Sequence, residues 1–357
     1  MIRSRIFLIA AAITAFAFVS CKKDKDPVII VPPSSGSQVE LNGLAGTEAG
    51  NAAGNSVYLD LSTNQTTAVM RASWDLGFYC GSDFRVILNN TTSAGAKVLA
   101  QNDLAVVGAA DTIGLTLAMN QVSPAPSDLA YFDDIAGSIT NTVIPEVSSA
   151  DANNKVIIIN RGTGGSTAAR PWMKIRVLRN AGGGYTLQYA RITAATWQTL
   201  QIAKDNDYHF KFVSFENGVL SGGQPQKTKW DLVWGYSLFQ TNFGAGLVPY
   251  NFSDLVAVNH LSNVQVKEKI YTDASTAAAA YSAFNKDSVS ATTLLTGRWT
   301  IGSSWRSTQP ATGARLDRFY IIKDANGNYY KFKCLSMGVG SDGGTRGKPR
   351  FQYDLIP

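Results

Sequence analysis

The tripeptide Trp-Asp-Leu occurs twice, at Trp74-Asp75-Leu76 and Trp230-Asp231-Leu232, each time in the same company. An alternating strand precedes each copy, Val57–Leu61 in one and Tyr208–Phe212 in the other. A second apolar stretch follows, Phe84–Leu88 or Leu255–Val258, and further along each unit closes in a Tyr-rich hairpin. The first hairpin runs Lys174–Leu178, a Gly182-Gly183-Gly184 turn, then Tyr185–Tyr189. The second runs Phe319–Lys323, Asn326-Gly327, then Tyr329–Lys333. Asn-Gly between alternating runs favours a type I′ turn, because both central residues need positive φ. The chain therefore reads as two divergent copies of one β unit, with a period too long for a solenoid. The expected fold is all-β, two antiparallel β units packed together with little helix, and Trp74 and Trp230 are expected at equivalent positions anchoring the core. The best helix candidate is Thr272 to Asn285, with its Ala277–Ala280 run and Asp273 or Ser275 as cap. Asp128 to Ile135 is a shorter candidate.

The first twenty residues read as a targeting segment, set aside before any reasoning about the fold. Arg3 and Arg5 form a basic n-region, Ile6 to Val19 an apolar h-region too short to span a membrane, and Phe18-Val19-Ser20-Cys21 a bacterial lipobox. Cys21 is then the lipidation site, and more than one acyl chain gives stable anchoring. Residues 21–40, with Lys22-Lys23-Asp24-Lys25-Asp26 and a Pro-Ser-Gly run, form a flexible tether that reaches on the order of 60 Å. The first β unit is expected over 41–206 and the second over 207–357.

With Arg3 and Arg5 gone, 30 of the 32 basic residues remain against 26 acidic ones, a formal charge of about +4 without dense clustering. That excludes a nucleic-acid surface. The sequence holds no Gly-x-Ser-x-Gly elbow, Walker loop, His-Glu-x-x-His helix or Cys-x-x-Cys pair, so no enzymatic activity is expected. Gly162–Thr167 only superficially resembles a phosphate cradle, and Asp133-Asp134 lacks the spaced oxygen ligands of a calcium loop. Outside the cytoplasm a Cys80–Cys334 disulfide is permitted, while two buried unpaired thiols are the plainer reading.

The Trp-Asp-Leu strand, the apolar strand after it, the closing hairpin Phe319–Lys333 and the final aromatic strand Arg350–Leu355 together resemble the HmuY family of surface haem-binding lipoproteins. The resemblance implies an all-β fold, attachment to the outer membrane by a lipid anchor with exposure at the cell surface, and capture of haem or a related porphyrin for an outer-membrane haem transporter, in the service of iron acquisition. It also implies a pair of haem-ligating histidines, and here the chain departs from the pattern. One ligand is expected after a Trp-x-x-x-Ser pattern, where Trp299–Trp305 offers Ser304 or Trp305; the other falls in Val264 to Asn285, which contains no histidine.

The chain has two histidines. His260, at a strand end, is the first candidate for a single axial ligand and Met337 the second. His209, the third ligand candidate, is expected on a solvated strand face with Lys211, opposite Phe210 and Phe212. Trp299, Trp305 and Tyr329 are candidates to stack on a porphyrin, with Tyr320 and Tyr330 nearby in the pattern. The rival reading is a surface adhesion or glycan-binding module that ligates no haem.

Overall fold

The computed structural model describes residues 32–244 and 246–357. The targeting segment, Cys21 and the tether up to residue 31 lie outside the described residues. In the first half of the chain the strands are β1 (Gly36–Glu40), β2 (Asn55–Asp60), β3 (Gln65–Met70), β4 (Leu76–Tyr79), β5 (Val86–Leu88), β6 (Gly95–Val98), β7 (Ile157–Asn160), β8 (Met173–Arg179) and β9 (Tyr185–Arg191). β10 (Gln198–Ile202) ends that half; in the second half they are β11 (Phe210–Ser214), β12 (Gly218–Val219), β13 (Leu232–Asn242), β14 (Leu247–Val258), β15 (Gln265–Ile270), the short pair β16 (Arg306–Ser307) and β17 (Gly313–Ala314), then β18 (Arg318–Lys323), β19 (Tyr329–Ser336) and β20 (Arg350–Ile356).

The fold is mostly β and every ladder is antiparallel, as the alternation and turn chemistry require. Two β-sandwiches result, each a five-stranded sheet on a four-stranded one. In sandwich I the sheet β10-β9-β8-β7-β6 packs on β12-β11-β4-β5. In sandwich II the sheet β1-β20-β19-β18-β15 packs on β14-β13-β2-β3. Period-2 alternation supplies both cores. Leu76, Phe78, Ile157, Ile175, Tyr185 and Leu187 fill the first; Leu59, Leu232, Trp234, Val256, Tyr330 and Phe351 fill the second.

The opening strands are exchanged. β2 pairs with β13 from the second half of the chain, Leu59 facing Leu232 and Val57 facing Trp234. β11, the matching strand of the second half, pairs with β4 of the first, Val213 facing Leu76 and Phe210 facing Tyr79. Likewise β1 closes the sheet that ends in β20, while β10, still in the first half, pairs with its own neighbour β9. Each sandwich is thus assembled from both halves, and residues 33–357 form one compact unit.

The Trp-Asp-Leu repeat marks the two places where this exchange is fastened. Asp75 N–H donates to Val213 O at 2.8 Å and Asp231 N–H to Leu59 O at 2.8 Å. The carboxylates accept the backbone N–H just beyond each incoming strand: Phe215 N to Asp75 Oδ2 and Leu61 N to Asp231 Oδ2, both 2.9 Å. A second matched pair holds the tryptophan carbonyls. Asn89 Nδ2 donates to Trp74 O at 2.7 Å, and Asn259 Nδ2 to Trp230 O at 2.8 Å.

Both sequence-predicted hairpins form, as β8–β9 and β18–β19, but the second does not turn through a type I′ Asn-Gly: five residues separate Lys323 from its partner Tyr329, Gly327 has φ 92° while Asn326 has no positive φ, and Gly327 N donates to Asp324 O at 3.2 Å. The predicted helix is α1 (Ala274–Ala283), capped by Asp273, whose Oδ1 accepts Thr276 N at 2.8 Å. Its Tyr281 packs edge-on against Phe319, ring centroids 5.4 Å apart. The shorter candidate is a 3₁₀ stretch, Pro126–Tyr131, opened by Pro126. Cys80 and Cys334 are buried and unpaired.

Candidate functional site

The residues of β2, β11, β13 and β14 that do not face a sandwich core face each other across a cavity of about 140 Å³. Tyr58, Val233, Leu255 and Ala257 line it from sandwich II; Ile87, Phe210 and Phe212 line it from sandwich I. The alternation that buries Val57, Leu232 and Val256 in a core is the one that turns their neighbours into this wall. Trp74 and Trp230 do occupy equivalent positions, but at the cavity rather than in a sandwich core. Trp74 sits edge-on to Phe212 at 4.5 Å and Trp230 edge-on to Tyr58 at 5.0 Å.

Both histidines reach this cavity. His209 is not a solvated strand residue: Phe210 and Phe212 face the cavity instead of the core, and His209, just ahead of β11, turns in with them. Its Nε2 lies 2.8 Å from Ser262 Oγ. That hydroxyl already donates to Lys227 O, so Nε2 carries the proton and Nδ1 keeps the lone pair. Burial first, then the positive charge of Lys227 and the nearby His260, pushes the His209 pKa down to about 4. His260 Nε2 is 3.1 Å from Gly137 O, and its Nδ1 is 3.4 Å from Val258 O. Burial and the charge of Arg298 lower its pKa, while the two carbonyls oppose them. Both imidazoles are therefore held neutral near pH 7, the form that binds metals.

The remaining sequence candidates divide. Trp299 is at the cavity wall, Nε1 donating to Ile135 O at 2.6 Å. It also ends an aromatic ladder along the β13–β14 hairpin, touching Phe239, then Phe252, Tyr250 and the exposed Phe243 in turn. Met337 and Trp305 are fully buried in the core of sandwich II, and Trp305 Nε1 is spent on Asp254 O at 2.9 Å. Ser304 is bonded to Ile301 O and Tyr320 OH. Tyr320 and Tyr330 are core residues of the same sandwich, whereas Tyr329 packs beside α1 in the cluster around Phe319. Apart from Trp299, none of these joins the histidines.

Sequence reasoning missed Arg298, Gln224 and Asn259, which no motif flags. The Arg298 guanidinium lies over the Trp299 ring at 4.9 Å, and among the described residues it makes neither a hydrogen bond nor an ion pair. Burial lowers its pKa to about 10. Asp133 is a brace rather than a cation ligand: its oxygens accept Leu88 N at 2.6 Å and Val143 N at 2.9 Å, and burial raises its pKa to about 6. No cluster of three or more His, Cys, Asp or Glu side chains suited to a metal occurs among the described residues. The Gly162–Thr167 loop turns the carbonyls of Gly164 and Gly165 toward the Arg71 guanidinium, opposite to the amide array a phosphate needs.

An outer groove of about 460 Å³ lies behind His209 and Leu261, which line both spaces; Tyr79, Cys80, Tyr208, Lys227 and Ser262 are among its other lining residues. Burial raises the Cys80 pKa, so its thiol stays protonated.

Among the described residues, no helix is long and apolar enough to cross a membrane. No curated protein and no solved structure matches the chain. The model of the HmuY protein family matches it twice, over residues 52–202 and again over 203–353, each match holding one Trp-Asp-Leu, one closing hairpin and one of the two asparagines that clasp it. The chain belongs to the HmuY family.

Proposed function

We propose that the protein is a non-enzymatic surface lipoprotein, anchored to the outer membrane through Cys21, that takes up haem or a related porphyrin between its two sandwiches and passes it to an outer-membrane transporter. One observation supports the reading beyond family membership: the two histidines, separated by half a sandwich in sequence, line a single aromatic-walled cavity and are both held neutral. His260 and His209 are the proposed axial ligands, with Trp299, Trp74 and Trp230 as the flat apolar surfaces. Iron binding would break the His260 to Gly137 bond or use the lone pair that His209 keeps on Nδ1.

At 140 Å³ the cavity is smaller than the roughly 300 Å³ at which sites for drug-sized ligands begin. A porphyrin therefore requires displacement of Leu261 and His209, the shared wall, so that cavity and outer groove merge. The test is an absorbance titration with haemin on wild type, His260→Ala and His209→Ala. A shifted Soret band that either substitution weakens supports the proposal. A Soret band that stays at the position of free haemin in wild type refutes it.

A further inference from the structure

The β13–β14 hairpin outruns the sheet it belongs to. β13 pairs with β2 only over Leu232–Trp234, while its pairing with β14 continues as far as Asn242 opposite Leu247. The hairpin therefore projects as a two-stranded arm, and Phe243 and Leu247, flanking its turn, are 62% and 53% exposed. Residues 121–126 run beside β14 toward the same end. The Gln121 side chain donates to Asn251 O and accepts Asn251 N, both at 3.2 Å, and a Cβ on Gly246 would lie 3.8 Å from Pro126 Cγ. Val122, in that segment, is 95% exposed.

A single exposed apolar side chain needs no explanation; three at one uncharged end do. Residues 232–253 hold no Asp, Glu, Lys or Arg, where the chain's 16% charged content would place three or four, and residues 112–127 hold none either. The turn also satisfies its own amides: Asn242 Oδ1 accepts Gly244 N at 2.7 Å and Gly246 N at 3.3 Å. Backbone groups bonded within their own segment are what contact with lipid requires.

Width decides between a protein and a lipid partner. Two strands about 5 Å apart make an arm too narrow for the roughly 800 Å² that each side of a specific protein interface supplies. A bilayer needs only the tip, with aromatic and aliphatic side chains at the headgroup boundary. Reach is compatible. Ser34 N donates to Ser62 O at the opposite end of the β2–β13 ladder, about 44 Å from Asn242 at ~3.4 Å per residue. The thirteen residues from Cys21 to Ser34 extend at most about 43 Å. An arm inclined by half a right angle lowers the height to about 31 Å, within that length.

We infer that the tip of this arm, Phe243 and Leu247 with Val122 beside them, is a membrane-contact site that enters the interfacial layer of a lipid bilayer. The reach rests on the anchor proposed at Cys21; the contact itself does not use it. The aromatic ladder through Phe243, Tyr250, Phe252, Phe239 and Trp299 then starts at the lipid and ends at the cavity wall.

The probe is vesicles of phosphatidylcholine, which carry no net charge, mixed with the mature chain bearing Cys21→Ser, so that no acyl chain contributes. Expected is co-sedimentation that persists from about 0.05 to 0.5 M salt, since no protein charge is involved. Phe243→Ser combined with Leu247→Ser is expected to lower the partition coefficient at least about tenfold, with near-ultraviolet circular dichroism unchanged. Phe243→Trp gives a second reading should the double variant misfold: the fluorescence it adds is expected to shift to the blue and to be quenched by brominated phosphatidylcholine. Equal partitioning of wild type and double variant, binding lost in high salt, or unquenched fluorescence in Phe243→Trp overturns the inference. Wild type that dimerises without vesicles, where the double variant is a monomer, assigns the tip to a second copy and overturns it too. Haemin and the lipid anchor are absent from every mixture, so failure here reads out separately from failure of haem binding or of anchoring.

Discussion

The side chain of Asp231 accepts the backbone N–H of Leu61 at 2.9 Å, across 170 residues of chain, while its other oxygen accepts Ala325 N at 2.9 Å. Asp75 makes the equivalent bond to Phe215, but it also carries a bidentate ion pair with Arg161, at 2.8 and 2.9 Å. The two copies have kept the anchor and diverged in how its charge is compensated. Asp75→Ala strands a guanidinium that is 2% exposed, leaving it only Glu216. Its expected cost is about 3–5 kcal/mol. Asp231→Ala orphans one buried amide, that of Leu61, at about 1–3 kcal/mol, leaves the part-buried amide of Ala325 closer to solvent, and strands no charge, so it should cost less. Urea midpoints of the two variants, with unchanged slopes, check the order.

Without a cation, burial raises the Asp231 pKa to about 7. The folded state then holds a proton that the unfolded chain, with an aspartate near 3.9, has released. The contribution is fully present below about pH 4 and lost as pH rises to about 7, a slope of at most about 1.4 kcal/mol per pH unit. The histidines act in the opposite direction below about 6.5, where the unfolded chain takes protons that His209 refuses. Comparing wild type with Asp231→Asn isolates the aspartate: the stability difference between them should shrink as pH goes from 5 to 8, by ~2 kcal/mol. A difference independent of pH contradicts it.

Arg71 is 2% exposed and ties separate segments together, donating to the carbonyls of Ala52, Ala53, Thr91, Gly164 and Gly165. A lysine keeps the charge but not the planar fork. Arg71→Lys is expected to cost about 2–4 kcal/mol, since bonds from a charged donor are worth roughly 1.5–3 kcal/mol each and only some are kept. Thermal unfolding monitored by near-ultraviolet circular dichroism reads this directly.

Trp230 and Trp234 separate wall from core. Trp234 is 1% exposed within sandwich II, and its truncation to Ala should cost roughly 5 kcal/mol; Trp230 already borders a void, so Trp230→Ala should cost closer to about 3 kcal/mol. Chemical denaturation of both variants tests the difference, and equal losses would place Trp230 in a core.

Local order was legible in the sequence because it is local. Asn326-Gly327 fixes its hairpin through the positive φ at Gly327, and Asp273 ahead of an alanine run fixes the start of α1. The two copies of Trp-Asp-Leu were equally plain, though not their task. Alternation in Tyr58 or Phe212 says that two faces differ, but not whether the second face meets a core, water or another sheet. The same limit hid the exchange: nothing in Val57–Leu61 says that its partner is Leu232 rather than Leu76, since strand pairing across such separations rests on the whole assembly. His209 was misplaced for this reason. Arg298, Gln224 and Asn259 carry no spacing signal, because their convergence is made by β14, the segment before β13 and the loop ahead of Trp299 meeting in space.

The pairing of β2 with β13, and of β11 with β4, gives the link at residues 203–209 an unusual status. It joins two halves of a sequence without joining two halves of an object. A protease that severed it would release nothing: the N-terminal fragment would still hold β1, β2 and β3 inside the sandwich that ends at residue 356, and the C-terminal fragment would still hold β11 and β12 inside the other. The nicked protein should elute as one particle under native conditions and fall into two pieces only in denaturant. Either fragment made alone would lack the strands that finish its own sheets, so the two should regain the fold when mixed and remain incomplete apart. Breakage at the midpoint of the chain would leave the assembly whole.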